Sequence, residues 1–361
     1  MDGNNLLSEK ISGCLYGGAI GDAMGAPVEW KDPNQIKKRW SYITDFVDPW
    51  DGPSDIGKGN GRYTDDTHMV QVLSEIYLEI GDHLDAFLFS EKITKKIAAE
   101  ERWIPEFGRK ANLVERLFYP EKWLYTQLCL ANKDPRIAGI GNMVNCGAAM
   151  YASPVGIVNA CDPEKAYDEA ISIFSAHQHS YGLEAAGVVA ACIAESFRPN
   201  SDIDDVLDVA INFAKEGTKN AIEAILLSTD SVSNFDDAIN TFRRTIKKYD
   251  GAGDYHFMKK KGQSTKNNGW HPSRIHSIEE LPIALGFLKI SKGKFSKTIL
   301  DCVNYGRDCD SIAGIAGSIS GTINGISEIN YKWISKIDAA NKCNLNNYSK
   351  ELMKLVEKLR N

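Results

Sequence analysis

Residues Ser311–Ile326 read SIAGIAGSISGTINGI, and this stretch decides the fold class. Ile312, Ile315, Ile319, Ile323 and Ile326 recur at steps of three and four, which places them on one face of a helix; a strand would alternate. Gly314, Gly317, Gly321 and Gly325 form another face. An interior helical glycine costs roughly 0.5–1 kcal/mol relative to alanine, so four at helical spacing predict a second backbone lying very close to that face.

The same period recurs on either side. Met69, Val72, Leu73, Ile76, Tyr77 and Ile80 predict an amphipathic helix over 67–80. Gly182–Phe197, GLEAAGVVAACIAESF, is rich in small residues and long enough for four turns of buried helix. Alternating strands are hard to find elsewhere, so the expected class is all-α: a compact multi-helix bundle forming a single domain over residues 1–361. Two stretches break the pattern. One is ERWIPEFGRKANLVERLFYPEKWLYTQL from Glu101, with aromatics and charges mixed; the other is KKYDGAGDYHFMKKKGQSTKNNGWHPSR from Lys247, which reads as a long surface loop.

Hydrophobic residues at 43% suffice for a large core, and 42 basic against 48 acidic residues leave a formal charge of -6, so no footprint for a nucleic acid backbone is expected. The eight cysteines include no C-x-x-C pair, which points to reduced thiols in the cytoplasm. MDGNNLLSEK lacks the basic start and apolar run of a secretory leader, and no membrane-spanning apolar run follows it.

Two acidic clusters carry chemistry. In GRYTDDTHMV, Asp65 and Asp66 stand between threonines where a helical pattern begins; in GRDCDSIAG, Asp308 and Asp310 flank Cys309 ahead of Ser311. Either alone reads as helix capping, with a carboxylate favoured at the positive end of the helix dipole. Together they offer hard oxygen donors suited to Mg²⁺, Mn²⁺ or Ca²⁺ rather than zinc, with Cys309 turned away. An EF-hand is excluded, since Ala313 and Ile319 fill the positions of the turn glycine and the bidentate glutamate.

Weaker signals accompany these clusters. GAIGDAMGAPVEW, from Gly18, is glycine-rich without being a nucleotide fingerprint. It ends on Glu29, between Val28 and Trp30, where desolvation would raise a carboxyl pKa and suit it to acid–base work. GNMVNCGAAMYASPVG, from Gly141, offers either backbone N–H groups for a phosphate or a tight turn into a helix. SAHQHSYG carries His177 and His179, whose spacing does not share a helix face.

This order of motifs resembles the ADP-ribosylglycohydrolase family over roughly residues 10–326, with 327–361 as a helical extension. The resemblance rests on GCLYGGAIGDAMGAPVE, GRYTDDTHM, the G-A-A-M segment with its following Pro and Gly, the H-x-H stretch, and D-x-D-S before the glycine-spaced helix. It implies an all-α domain holding two divalent cations, Mg²⁺ or Mn²⁺, with Thr64, Asp65, Asp66, Asp308, Asp310 and Ser311 as ligands. It also implies Glu29 as the catalytic carboxylate, Asp65 or Asp308 orienting the water, Gly147 and Ala148 as a phosphate-contacting turn, and His177 or His179 along the cleft. The substrate implied is an ADP-ribosylated protein or a small ADP-ribosyl compound, cleaved at ribosyl C1″.

Departures from the family pattern shape the alternatives. Tyr151 stands where a basic residue follows G-N-G-A-A-M, Cys146 alters the same turn, Ser180 replaces a proline, and Cys309 and Ser311 replace threonines. The altered turn admits a hydrolase of another riboside or nucleoside, and the fold also admits a catalytically silent member like the eye-lens crystallins.

Overall fold

The structure, a computed structural model, describes residues 3–249 and 279–360. The Lys247 stretch therefore lies, from residue 250 onward, outside the described residues. The elements run α1 (Gly3–Gly25), α2 (Pro33–Trp40), α3 (Asp65–Ile80), α4 (Ala86–Ala98), β1 (Glu101–Ile104), β2 (Arg109–Asn112), α5 (Leu113–Arg116), α6 (Tyr119–Tyr125), α7 (Ser153–Val158), α8 (Pro163–Phe174), α9 (Ser180–Ser196), α10 (Ile203–Phe213), α11 (Glu216–Ser228) and α12 (Phe235–Ile246). Beyond the undescribed segment come α13 (Glu280–Ser291), α14 (Phe295–Tyr305), α15 (Cys309–Asn324), α16 (Tyr331–Asn341) and α17 (Leu345–Arg360).

The class is all-α. Among the described residues, strand pairing beyond an isolated bridge is confined to the antiparallel hairpin β1–β2, in which Glu101 faces Asn112 and Ile104 faces Arg109. It falls inside the stretch whose mixed pattern resisted a helical reading. One continuous cluster of buried side chains runs from Leu7 to Val356. No helix among the described residues is long and apolar enough to cross a membrane.

The second backbone predicted for the glycine face is α1, which runs antiparallel to α15. A Cβ on Gly13 would lie 2.1 Å from Gly321 O, on Gly17 2.2 Å from Gly317 O, and on Gly21 2.1 Å from Ala313 O. Small residues on both helices let the backbones touch, and any side chain there would drive them apart. The glycines of α15 are not equivalent. Gly314 has no neighbour closer than 3.7 Å, and Gly325, at φ +78°, ends the helix instead of packing inside it. GAIGDAMG, read from sequence only as glycine-rich, is thus the C-terminal part of α1.

The antiparallel register decides where the chemistry falls. It brings the C-terminal end of α1 against the N-terminal end of α15, where a Cβ on Gly25 would lie 2.5 Å from Asp310 N. Two backbone hydrogen bonds then tie the chain after α1 to the approach to α15: Trp30 N–H donates to Arg307 O at 2.6 Å, and Arg307 N–H donates to Lys31 O at 2.9 Å. Gly306, at φ +70°, makes the turn between α14 and this bridge, and a Cβ there would meet Lys31 O at 2.4 Å.

Candidate active site

Asp22, on the inner face of α1, organises the first acidic cluster. Its buried carboxylate accepts from Thr64 N–H at 3.1 and 3.0 Å, from Thr67 N–H at 3.1 Å and from Thr67 Oγ1 at 2.6 Å. It thereby satisfies donors at the start of α3 that have no partner within the helix. Thr64 caps the same turn through a 3.4 Å bond from Asp66 N–H, and its hydroxyl lies 3.5 Å from Asp66 Oδ1. With these amides occupied, Asp65 and Asp66 turn their carboxylates outward. Asp65 meets Arg116 Nη1 at 2.9 Å, and Asp66 Oδ2 accepts from Ser311 Oγ at 3.0 Å.

Ser311 joins the two clusters, since its hydroxyl also lies 3.5 Å from Asp308 Oδ1. Cys309 turns away, its Sγ directed to Gly25 O at 3.4 Å. Glu29, delivered by the bridge after α1, pairs with Lys58, whose Nζ also lies 3.5 Å from Asp310 Oδ2. Glu29, Lys58, Asp65, Asp66, Asp308, Asp310 and Ser311 line one cavity of about 270 Å³, together with Glu106, Arg116, Phe118, Glu121, Asn145, Cys146 and Met150, whereas Thr64 is fully buried beneath it.

Crowding of acids in a buried wall perturbs their protonation. Burial raises Glu29 to about 7, assisted by the Asp310 charge and opposed by Lys58. Burial also lifts Asp66 well above the usual carboxylate range, with Asp22, Asp310 and Asp65 adding to it. Asp308 is raised in the same way by burial, then by Asp310 and Glu280. Like charges at about 4 Å repel by roughly 4 kcal/mol at an effective dielectric constant of about 20, so such a cluster favours either protons or a cation.

Two features fit a divalent cation. Asp310 Oδ1 is buried without a hydrogen-bond partner. Ligand atoms of Glu29, Asp308 and Asp310 lie within 4.8 Å of one another, as do those of Cys146, Glu280 and Asp308.

The residues expected to contact substrate stand behind this wall. His177 is fully buried, bonded through Nδ1 to Tyr151 Oη at 2.9 Å, and its Nε2 lies 3.8 Å from Glu121 Oε1. His179 Nε2 bonds Asn142 O at 3.0 Å. Gly147 N–H donates to Asn145 Oδ1 at 3.1 Å, and Ala148 is fully buried. A Cβ on Gly147 would lie 2.2 Å from Glu121 Oε1, so glycine there makes room for that carboxyl. Tyr151 packs edge-on against Phe174 in the core, whereas Cys146 faces the cavity.

Sequence reasoning missed Asp22, Lys58, Glu106, Arg116 and Glu121. Asp22 lay in the glycine-rich stretch from Gly18, and Glu106, Arg116 and Glu121 lay in the mixed stretch from Glu101, but neither pattern marked them as site residues; Lys58 lay in no stretch that had drawn notice. Lys58, Glu106, Arg116 and Glu121 reach the cavity through tertiary contacts.

The family model for ADP-ribosylglycohydrolase matches residues 3–361. YegU of Escherichia coli strain K12 is 24% identical over 97% of this chain and 98% of its own. The ADP-ribosylarginine hydrolase Tri1 of Serratia proteamaculans is 23% identical over 91% of this chain and 75% of its own. A solved structure described as an ADP-ribosylglycohydrolase-related protein complex shares the fold, with a TM-score of 0.62 at 15% identity over 98% of this chain and 99% of that one. With nearly its whole length matched and its acidic motifs gathered on one cavity, the chain belongs to the ADP-ribosylglycohydrolase family.

Proposed function

We propose that the cavity hydrolyses an ADP-ribosyl N- or O-glycosidic bond at ribosyl C1″, with two divalent cations, Mg²⁺ or Mn²⁺, held by Thr64, Asp65, Asp66, Asp308, Asp310 and Ser311. One observation carries the reading: carboxylates from three distant segments, around residues 29, 65 and 308, meet on one cavity with Asp310 Oδ1 left unpartnered. A bound divalent pair would supply Lewis acidity and a water of lowered pKa.

The side chains supply the rest. Glu29, raised to about 7, can both hold and release a proton near neutrality, which suits it to protonate the departing atom as the glycosidic bond opens. Either Asp65, paired with Arg116, or Asp308, beside Ser311, orients the attacking water in this reading. The Gly147–Ala148 turn contributes shape, leaving space for Glu121. His177 and His179 support the wall from behind. The intact acids argue against a silent member. The nucleoside alternative rested partly on Tyr151, which lies in the core.

We take residues 1–361 as one domain, acting on an ADP-ribosylated protein or a small ADP-ribosyl compound. The cytoplasm, where thiols stay reduced, is the compartment the composition favours. The name of the Serratia relative makes an arginine linkage the first to try.

The test incubates purified protein with Mg²⁺ or Mn²⁺ and ADP-ribosyl-arginine peptides, ADP-ribosyl-serine peptides or free nucleosides. Metal-dependent release of ADP-ribose is expected. Full activity after exhaustive chelation, or nucleoside cleavage without ADP-ribose release, overturns the proposal.

A further inference from the structure

Lys58 reaches the acidic wall from a loop that the fold fixes on both flanks. Gly57 N–H donates to Glu106 O at 2.7 Å, and Gly57 O accepts from Arg62 Nε at 2.7 Å. Arg62 Nη2 also donates to Ser54 O at 2.9 Å and to Ile56 O at 3.1 Å, and Asn60 N–H donates to Val47 O at 2.8 Å. Gly59, at φ +129°, adopts a backbone that favours glycine, and a Cβ there would meet Pro49 N at 2.6 Å. The stem of Lys58 therefore starts from a set point. Its ammonium ends between carboxylates from two elements: Glu29 after α1, and Asp310 Oδ2 at the start of α15, the latter at 3.5 Å. The other oxygen of Asp310, Oδ1, is buried without a hydrogen-bond partner, and ligand atoms of Glu29, Asp308 and Asp310 lie within 4.8 Å of one another. Arg116, the second cation of the cavity, is held instead by Asp65 and Glu106.

We propose that Lys58 is a tethered counter-cation and a positioning residue. It holds Glu29 and Asp310 together against their mutual repulsion, and it yields Asp310 to an arriving divalent cation, which is bound by exchange for an ammonium. The inference rests on the metal-binding reading above and deepens it. Asp310 cannot serve both partners fully, because a divalent ion on its carboxylate and an ammonium 3.5 Å from Oδ2 are like charges a few ångströms apart in a partly buried site. Lysine suits the exchange: its compact charge sits on a flexible four-carbon stem, where the planar fork of an arginine would lock onto a carboxylate. Glu29 keeps the released ammonium, so the carboxyl that carries the proton stays against the wall while the ion enters. One side chain thus has two opposite effects, stabilising the ion-free fold and weakening divalent affinity.

The test compares full-length wild type with Lys58→Met, which keeps the reach of the stem without its charge, and with Lys58→Arg, which keeps the charge. In chelator the Tm of Lys58→Met should fall below that of wild type, while its calorimetric affinity for Mg²⁺ and Mn²⁺ should rise by about tenfold or more. Lys58→Arg should keep the wild-type Tm and bind neither ion more tightly than wild type. A lysine with only a structural role would lower stability and affinity together, so a Lys58→Met protein with unchanged or weaker affinity overturns the exchange. A second readout needs no neutral variant. The ¹⁵N signal of the Lys58 ammonium, assigned by its loss in Lys58→Arg, should shift on saturation with Mg²⁺, and its hydrogen exchange should quicken. A signal indifferent to bound Mg²⁺ overturns the proposal even if Lys58→Met does not fold, and leaves the metal-binding reading standing. If wild type binds neither Mg²⁺ nor Mn²⁺, that reading falls and this inference with it.

Discussion

Glu29 is pulled in two directions, upward in pKa by burial and Asp310, downward by Lys58, and it settles at about 7. Replacement by Gln keeps the shape but removes the proton, so turnover should fall by about 10²–10⁴-fold while calorimetric metal affinity survives. Rescue of Glu29→Gln by excess metal would make Glu29 a ligand instead. The same groups set a pH dependence. Asp22 at about 6, Glu29 at about 7 and Glu121 at about 8 each bind a proton more tightly folded than unfolded, all chiefly through burial. Their stabilising increment is complete below the ordinary carboxyl range and is lost as pH rises through 6 to 8. In chelator, Tm should therefore fall between roughly pH 5 and pH 8, and the fall should be smaller in Glu29→Gln. An equal slope in the two proteins would remove Glu29 from the account.

The α1–α15 contact makes an element-scale prediction with an internal control. Gly317→Ala places a Cβ 2.2 Å from Gly17 O, in the same helix–helix contact that sets Gly25 against the Asp310 backbone. Overpacking of this kind costs about 1–3 kcal/mol, so Tm should drop and metal affinity should fall with it. Gly314→Ala meets nothing closer than 3.7 Å and should be neutral or stabilising by up to roughly 1 kcal/mol, because alanine is the better helix former. Denaturant melts of both variants check the pair. Equal destabilisation would mean that the observed approach of the two helices is not what constrains these glycines. Asp22→Ala adds a second case, since it strips two backbone amides and a hydroxyl at the start of α3 of their acceptor. A loss of about 1–3 kcal/mol is expected, measurable in the same melts.

At the scale of the molecule, the candidate centre binds together segments that are neighbours only in the folded chain. An ion that binds only that arrangement stabilises it by mass action, by about 2.7 kcal/mol at a hundredfold excess over Kd. Thermal scans in saturating Mg²⁺ or Mn²⁺ should show Tm rising by several degrees over the chelated protein, most at the alkaline end, where the acids repel one another most. A Tm indifferent to either ion would count against the centre.

The sequence by itself determined the helical class, because the spacing of Ile312 to Ile326 and of Met69 to Ile80 follows from the geometry of one helix. It also determined that Asp65, Asp66, Asp308 and Asp310 stand at helix entrances, since capping chemistry is local. The glycine face announced a partner backbone but could not name α1, as nothing in a single helix states which other helix it meets. Only the tertiary structure decided that α1 runs antiparallel to α15, and this register sets Glu29 beside Asp310. The structure likewise recruited Lys58, Arg116 and Glu121, whose placement depends on long-range packing that leaves no local pattern. It also separated two residues that had looked alike as departures in one turn, burying Tyr151 against His177 and turning Cys146 toward Asp308. A side chain's type is written in the sequence, but the groups it faces are fixed by the balance of packing over the whole core.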